Sequence, residues 1–131
     1  MTIFIDASAL VAVLAKEDDW LSLGERIMAE RAPLWSAMTQ WETVAALRLS
    51  HDLPPAIARV RTAEFAVENG LVLVPIGHRE SEFAIDAYAR YGKGVDPAGL
   101  NMGDCFAYAC AKANDARLLY KGDDFAGTDL A

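Results

Sequence analysis

Five acidic residues stand where predicted strands or helices begin or end. Asp6 follows the first strand, Glu42 lies in the first turn after the second strand, and Asp104 lies in the first turn of the last long helix. Asp123 and Asp124 follow the last strand. Carboxylates without paired His or Cys favour Mg²⁺ or Mn²⁺, and bound Mg²⁺ recruits phosphate oxygens. These residues therefore predict phosphodiester hydrolysis by a metal-activated water.

The chain topology is expected to gather these acids in one place. In a parallel sheet the carboxyl ends of the strands share one edge, and a helix that leads into a parallel strand also begins there. Two carboxylates about 4 Å apart repel each other by roughly 4 kcal/mol at an effective dielectric constant of about 20. Helix N-termini offset only part of this repulsion. We therefore expect the cluster to hold a divalent cation or to be partly protonated.

Considered singly, each acid has a structural alternative. Thr39 and Glu42 have the spacing of a capping box, Asn101 and Asp104 have a looser version of it, and Asp6 could cap the helix after the first strand. The two adjacent acids near the C-terminus could form an Asx turn. A cap contributes about 0.5–2 kcal/mol, which is less than the repulsion within a cluster. The set as a whole therefore favours a metal site.

Other side chains are weaker candidates for chemistry. Ser8 lies in no GxSxG context, so we expect it either to touch the metal or its water or to cap a helix. His51 and His78 lack the spacing of metal ligands and are expected on the surface or in packing roles. Lys93 and Lys121 lie near the proposed edge, where they meet phosphate or remain solvated.

Alternating strands and helices must position these residues. Short apolar β-rich runs predict strands, and apolar stripes with capping signals predict helices. The strands are expected at residues 2–5, 34–36, 71–74 and 117–121. The helices are expected at residues 8–15, 19–31 after a cap by Asp18 or Asp19, 39–51, 54–69, 79–91 and 101–113. This alternation predicts the α/β class, with a parallel sheet covered by helices on both faces.

Composition narrows the class of protein further. The 131 residues, 53% of them apolar, suffice for one sizeable core, and we expect a single domain over residues 1–131. A net charge of −7 excludes a broad basic surface, so any phosphate-binding site must be local. Cys105 and Cys110 are expected to be reduced and buried. Because no membrane span or basic leader is evident, we expect a cytoplasmic protein without membrane contact.

Three stretches of the chain resemble the PIN-domain ribonucleases, and more closely the VapC-type toxins of bacterial toxin–antitoxin pairs. They are residues 5–10 (IDASAL), 99–105 (GLNMGDC) and 118–125 (LLYKGDDF), with Glu42 between them and Thr128-Asp129 after them. The resemblance implies a three-layer α/β/α fold with a short central parallel sheet of four to five strands. It also implies an endoribonuclease that depends on Mg²⁺ or Mn²⁺ and cleaves structured RNA, often tRNA or ribosomal RNA.

The resemblance also implies a role for each acid. Asp6, Glu42 and Asp104 match the three standard acids of the family. Asp6 and Asp104 are expected to hold the principal metal, and Glu42 to bind metal-bound water or a second ion. Asp123 or Asp124 is expected to complete the site, and the second of the two fits the motif better. Two further polar residues are expected to support these acids: Ser8 and Asn101.

The family resemblance also implies partners. Such proteins are usually homodimers, held inactive by a cognate VapB-type antitoxin whose C-terminal segment covers the acidic site. Three Trp and four Tyr in a small acidic chain leave aromatic surface for a dimer to cover. A phosphoacceptor receiver domain is excluded, because Pro75 and not an acceptor Asp follows the middle strand. A catalytically idle PIN scaffold that only binds protein or RNA remains the alternative.

Overall fold

The computed structural model describes residues 1–131, which form four strands and six helices. In chain order these are β1 (Ile3–Ile5), α1 (Ala7–Leu14), α2 (Trp20–Met28), β2 (Leu34–Trp35), α3 (Ala37–His51), α4 (Pro55–Glu68), β3 (Val72–Leu73), α5 (His78–Tyr91), α6 (Met102–Ala113) and β4 (Arg117–Leu119). The strands form one parallel sheet in the order β3-β2-β1-β4. The expected α/β fold with a short parallel sheet is confirmed.

Strand β1 divides the core into two halves, because successive side chains of a strand point to opposite faces of the sheet. Phe4 is fully buried in a cluster that includes Ala87 of α5 and much of α6. Ile3 and Ile5 belong to a second cluster that includes Leu10 of α1 and apolar residues of α2. Helices therefore cover both faces of the sheet, which gives the three-layer α/β/α arrangement.

Helix α3 begins two residues earlier than the sequence analysis predicts. Its N-cap is Ser36, whose Oγ accepts a hydrogen bond from the Thr39 N–H at 3.2 Å. The Ser36 N–H in turn donates to Thr39 Oγ1 at 3.4 Å. Ser and Thr are both good N-caps, and the first of them after β2 takes this position. The alternative in which Thr39 and Glu42 form a capping box is therefore excluded, and Glu42 lies in the second turn of the helix.

Three other expectations about element ends also differ from the structure. Strand β3 covers only Val72–Leu73 and is an exposed edge strand, with Leu73 55% exposed. Strand β4 ends at Leu119, and the backbone N–H of Lys121 donates to the Ser8 hydroxyl at 3.0 Å instead of continuing the sheet. Asp19 occupies the N-cap position of α2, but its side chain makes no capping hydrogen bond.

The segment after β4 is anchored at two points. Phe125 is 1% exposed and packs in the cluster that contains α5 and α6. Asp129 accepts hydrogen bonds from Tyr108 Oη and Lys112 Nζ, both at 2.7 Å. Burial acts to raise the pKa of Asp129, but these two hydrogen bonds outweigh it and lower the pKa to about 2. Phe125 therefore holds the loop that follows β4 against the body of the fold, and Asp129 holds the residues after Phe125.

Cys105 and Cys110 are buried free thiols, as expected. Burial raises the pKa of Cys110 to about 11, so this side chain remains a neutral thiol near pH 7. None of the helices has the length and apolar character needed to span a bilayer.

Candidate active site

A cavity of about 450 Å³ opens where β1 and β4 end and where α1 and α6 begin. Five acids are among its twelve lining residues: Asp6, Glu17, Glu42, Asp104 and Asp124. Ser8 and Asn101 also line it. The structure therefore brings together all but one of the site residues named from the sequence, at the edge of the sheet where the topology predicts them.

Asp6 connects the end of β1 to the start of α1. It is the N-cap of α1, and its Oδ2 accepts hydrogen bonds from the Ser8 N–H at 3.0 Å and from Ser8 Oγ at 2.5 Å. The Ser8 hydroxyl is itself held by the backbone N–H of Lys121. Ser8 therefore orients Asp6, and the other carboxylate oxygen of Asp6 has no part in these hydrogen bonds.

Asp104 occupies the equivalent place at the start of α6. Asn101 is the N-cap, and its Oδ1 accepts a hydrogen bond from the Asp104 N–H at 2.9 Å. The Asn101 N–H donates to Asp104 Oδ2 at 3.1 Å. The capping alternative for Asp104 is thus correct, but the cap occupies only one carboxylate oxygen and the side chain still lines the cavity.

Glu42 reaches the cavity from the second turn of α3 and contacts the backbone of α6. A Cβ placed on Gly103 would lie 2.6 Å from Glu42 Cδ, so only glycine leaves room for this carboxylate in its present position. No hydrogen bond contributes to the pKa shift of Glu42, in contrast to Asp6 and Asp104. Gly103 lies within the stretch 99–105 that carries the family resemblance, but its contact with Glu42 was not predicted.

Burial and like charge raise the pKa of three of the carboxyl groups. The pKa of Glu42 rises to about 7, chiefly because the group is desolvated and also because Asp6 and Asp104 are close. Desolvation raises the pKa of Asp104 to about 6, and the charges of Asp124 and Asp6 add to the rise. Desolvation likewise raises the pKa of Asp6 despite its hydrogen bonds. The fold therefore holds these acids together against their mutual repulsion.

The structure distinguishes between the two adjacent acids after β4. Gly122 has a φ of +89°, a conformation that suits glycine, and it turns the chain directly after the strand. Beyond this turn Asp124 lines the cavity and acts electrostatically on Asp6. Asp123 and Asp124 are both exposed, but Asp123 is not among the lining residues.

A group of charged residues lies at one side of the cavity. Lys121 Nζ is 2.7 Å from Glu17 Oε1 and 3.2 Å from Asp19 Oδ1. Glu17 Oε2 lies 2.8 Å from His51 Nε2. Glu17 was not predicted to line the cavity, because its position depends on how the α1–α2 loop packs. Lys121 lines the cavity, whereas Lys93 is exposed elsewhere.

The donor set fits a hard divalent cation. The carboxylates of Asp6, Glu42, Asp104 and Asp124 face one cavity, and oxygen ligands are those that Mg²⁺ and Mn²⁺ prefer. A cation between them would relieve the repulsion that raises the pKa of the buried carboxyl groups. The His, Cys, Asp and Glu side chains do not form a preassembled group of three metal ligands. An ion bound here would have to draw these already oriented carboxylates closer together.

Comparisons with known proteins identify the family of this chain. Residues 3–130 match the family model described as the PIN domain. The chain belongs to the PIN-domain family. This PIN domain is 37% identical over 128 residues to the ribonuclease VapC30 of Mycobacterium tuberculosis, with 97% of this chain and 95% of that protein covered. It is 39% identical over 139 residues to a VapC ribonuclease of Rhizobium meliloti, with 97% and 98% covered.

A solved structure supports the fold of the PIN domain independently. The crystal structure of Mycobacterium tuberculosis VapC20, described as a sarcin–ricin loop cleaving toxin, matches with a TM-score of 0.73. The match covers 99% of this chain and 98% of that one at 19% identity, so it shows the shared fold. The resemblance to VapC-type PIN domains found in the sequence is confirmed.

The substitution Asp104→Asn tests whether this carboxylate serves the cluster or only the cap. The amide oxygen can still accept the Asn101 N–H, while one negative charge leaves the cavity. We expect the metal-free Tm to rise by about 2–4 °C, which corresponds to roughly 1 kcal/mol of relieved repulsion. Mn²⁺ affinity, measured by calorimetry, should fall at least about tenfold, or about 1.4 kcal/mol.

The control for Asp104→Asn is Asp86→Asn, which removes one charge from an exposed position of α5. This variant should leave both the metal-free Tm and the Mn²⁺ affinity as in the wild type. A capping role alone would give a lower Tm for Asp104→Asn together with unchanged Mn²⁺ binding.

The raised pKa of Glu42 predicts how the stability of the metal-free protein depends on pH. Between the ordinary value of 4.5 and the folded value of about 7, the folded state binds more protons than the unfolded state. The free energy of unfolding should therefore fall as the pH rises from about 5 to 8. Denaturant titrations in EDTA should show a smaller decline for Glu42→Gln. An equal decline in the two proteins would contradict the assignment.

Proposed function

We propose that this PIN domain, spanning residues 1–131, is the toxin of a toxin–antitoxin pair and acts as an endoribonuclease. It hydrolyses phosphodiester bonds in structured RNA with bound Mg²⁺, for which Mn²⁺ substitutes. The observation that carries the proposal is the cavity in which Asp6, Glu42, Asp104 and Asp124 meet. It lies within a chain that is 37% and 39% identical to VapC ribonucleases over nearly its full length.

In the proposed site each acid has a separate task. The carboxylate oxygens of Asp6 and Asp104 that remain outside the capping hydrogen bonds hold the principal ion. Asp124, which is preferred over Asp123, completes the ligand set from the loop after β4. When bound, the ion lowers the pKa of a water molecule and neutralises charge on the phosphate. Glu42 would bind a water molecule on the ion or a second ion.

Ser8 and Asn101 act as positioning residues in this proposal. Ser8 fixes one oxygen of Asp6, and Asn101 fixes one oxygen of Asp104. Each therefore restricts the rotation of a ligand carboxylate and leaves the other oxygen available. Such preorganisation is needed because a metal site loses affinity when its ligands must be ordered on binding.

We propose tRNA or ribosomal RNA as the substrate. The neighbouring VapC20 structure is described as that of a sarcin–ricin loop cleaving toxin, and this description supports an RNA substrate. An acidic cavity repels RNA until the cation is bound, so affinity must come from the ion and from local basic side chains. A cytoplasmic location is proposed because the substrates are there and because the free thiols suit a reducing compartment.

Expression of the protein without its antitoxin should arrest growth, because cleavage of tRNA or ribosomal RNA stops translation. Co-expression of a VapB-type antitoxin from a neighbouring reading frame should restore growth, since its C-terminal segment is proposed to cover the acidic cavity. Mapping of new 5′ ends in total RNA after induction should give discrete cleavage sites. Asp104→Asn should abolish both arrest and cleavage, whereas Asp86→Asn should retain them.

Two outcomes of this experiment would overturn the proposal. Growth arrest that persists with Asp104→Asn would show that toxicity does not depend on the acidic site. Binding of RNA by the wild-type protein with no cleavage in Mg²⁺ or Mn²⁺ would instead favour the idle PIN scaffold. Purified protein and a panel of tRNA transcripts decide between cleavage and binding directly.

We also propose a homodimer that forms through α5 and α6. A groove between these helices is lined only by apolar and aromatic residues: Ala84, Ile85, Tyr88, Met102, Cys105 and Phe106. Tyr88 is 53% exposed and Met102 is 67% exposed. The larger groove between α3 and α4 also contains Gln40 and Arg59. Homodimer interfaces are the more apolar class, which favours the groove of α5 and α6.

Light scattering at about 50 μM should give a mass twice that of the 14.2 kDa chain. Tyr88→Glu should shift the protein to monomer, because a charge on the proposed interface cannot be buried without a partner. Trp41→Glu alters the groove of α3 and α4 and serves as the matched control, with the dimer retained. A monomeric wild type, or dissociation caused by Trp41→Glu alone, would contradict this interface.

A further inference from the structure

The acidic cavity contains a single basic residue. Among its twelve lining residues there are five acids, and Lys121 is the only Lys or Arg. An RNA backbone that approaches this cavity brings further negative charge next to several carboxylates. The bound cation and the Lys121 ammonium are then the positive charges at the site. The position of Lys121 therefore influences where a phosphate group of RNA can bind at the cavity.

Contacts with two other parts of the chain hold Lys121 at the rim. Its backbone N–H donates to Ser8 Oγ, and this hydroxyl donates to Asp6. Its ammonium lies 2.7 Å from Glu17 and 3.2 Å from Asp19, both of which belong to the α1–α2 connection. The ammonium has three hydrogens, and these two carboxylates engage at most two of them. At least one donor remains for a ligand.

The ion pairs of Lys121 do not by themselves indicate that this lysine has a purely structural role. The Lys121 side chain is 32% exposed. Lys112 is exposed to the same extent, and its ammonium lies 2.7 Å from the carboxylate of Asp129. Exposed pairs of this kind contribute about 0–1 kcal/mol to stability. The two lysines differ in place, because Lys121 lines the acidic cavity and Lys112 lies at the end of α6.

We propose that Lys121 binds a non-bridging oxygen of an RNA backbone phosphate at the mouth of the cavity, while Glu17 and Asp19 keep its ammonium at the rim. This inference rests on the proposed ribonuclease function. The α1–α2 connection thereby takes part in substrate binding without touching RNA. The contact is independent of base identity, so it supports affinity and position on the backbone rather than sequence preference.

The test is the salt dependence of RNA binding by wild type, Lys121→Met, Lys121→Arg and Lys112→Met. Fluorescently labelled bulk tRNA is the probe, and anisotropy is measured in Ca²⁺ from 50 to 300 mM salt, with gel analysis confirming that the RNA stays intact. Loss of one phosphate contact should reduce the slope of log K against log salt by about 0.7–0.9. Affinity at the lowest salt should fall about three- to tenfold.

The other variants separate charge from structure. Lys121→Arg keeps the positive charge and should retain the wild-type slope, and Lys112→Met should match the wild type in slope and affinity. The Mn²⁺ affinity and Tm of Lys121→Met should stay close to wild type, which shows that the acids remain in place. A wild-type slope in Lys121→Met overturns the inference and leaves the ribonuclease proposal intact if the wild type cleaves RNA. A wild type that neither binds nor cleaves RNA overturns both.

Discussion

Repulsion between desolvated carboxylates is the constraint that the rest of this structure must satisfy. Asp6, Glu42 and Asp104 come from three separate helices or their caps, and burial raises the pKa of all three. Packing of the sheet and helices must supply the free energy that keeps them together. The ends of α1 and α6 offset part of the repulsion, since the partial positive charge of a helix N-terminus favours a nearby carboxylate. A divalent cation bound between the carboxylates would relieve more of it.

Helix capping and the proposed metal binding are compatible roles for the same carboxylates. At Asp6 and Asp104 one oxygen accepts hydrogen bonds at a helix start, so the side chain is fixed and the second oxygen keeps a defined direction. Ser36 and Thr39 cap α3 by themselves, which leaves Glu42 free of that task. The local rules that begin each helix therefore also orient the groups of the site.

Much of this arrangement could be predicted from the sequence because it depends on local patterns. Apolar runs indicate the strands, and parallel topology then places their ends and the associated acids at one edge. The start of α3 was predicted wrongly because Ser36 and Thr39 are both competent caps, and only the end of β2 decides between them. The position of Glu17 at the cavity could not be predicted, since it depends on tertiary packing of the α1–α2 connection. Which of Asp123 and Asp124 lines the cavity depends on the turn at Gly122, which only the folded structure reveals.

The absence of a side chain at Gly103 has a consequence for how inactive relatives of this protein could arise. A single added methyl group would displace the Glu42 carboxylate, although helix α6 tolerates alanine well. A relative with alanine at this position would keep all of its acidic residues. Inspection of those residues alone would therefore classify its site as intact. The volume of a neutral residue can thus decide where a carboxylate of the cavity lies. A survey of such domains for function should examine the residue before the third acid as closely as the acid itself.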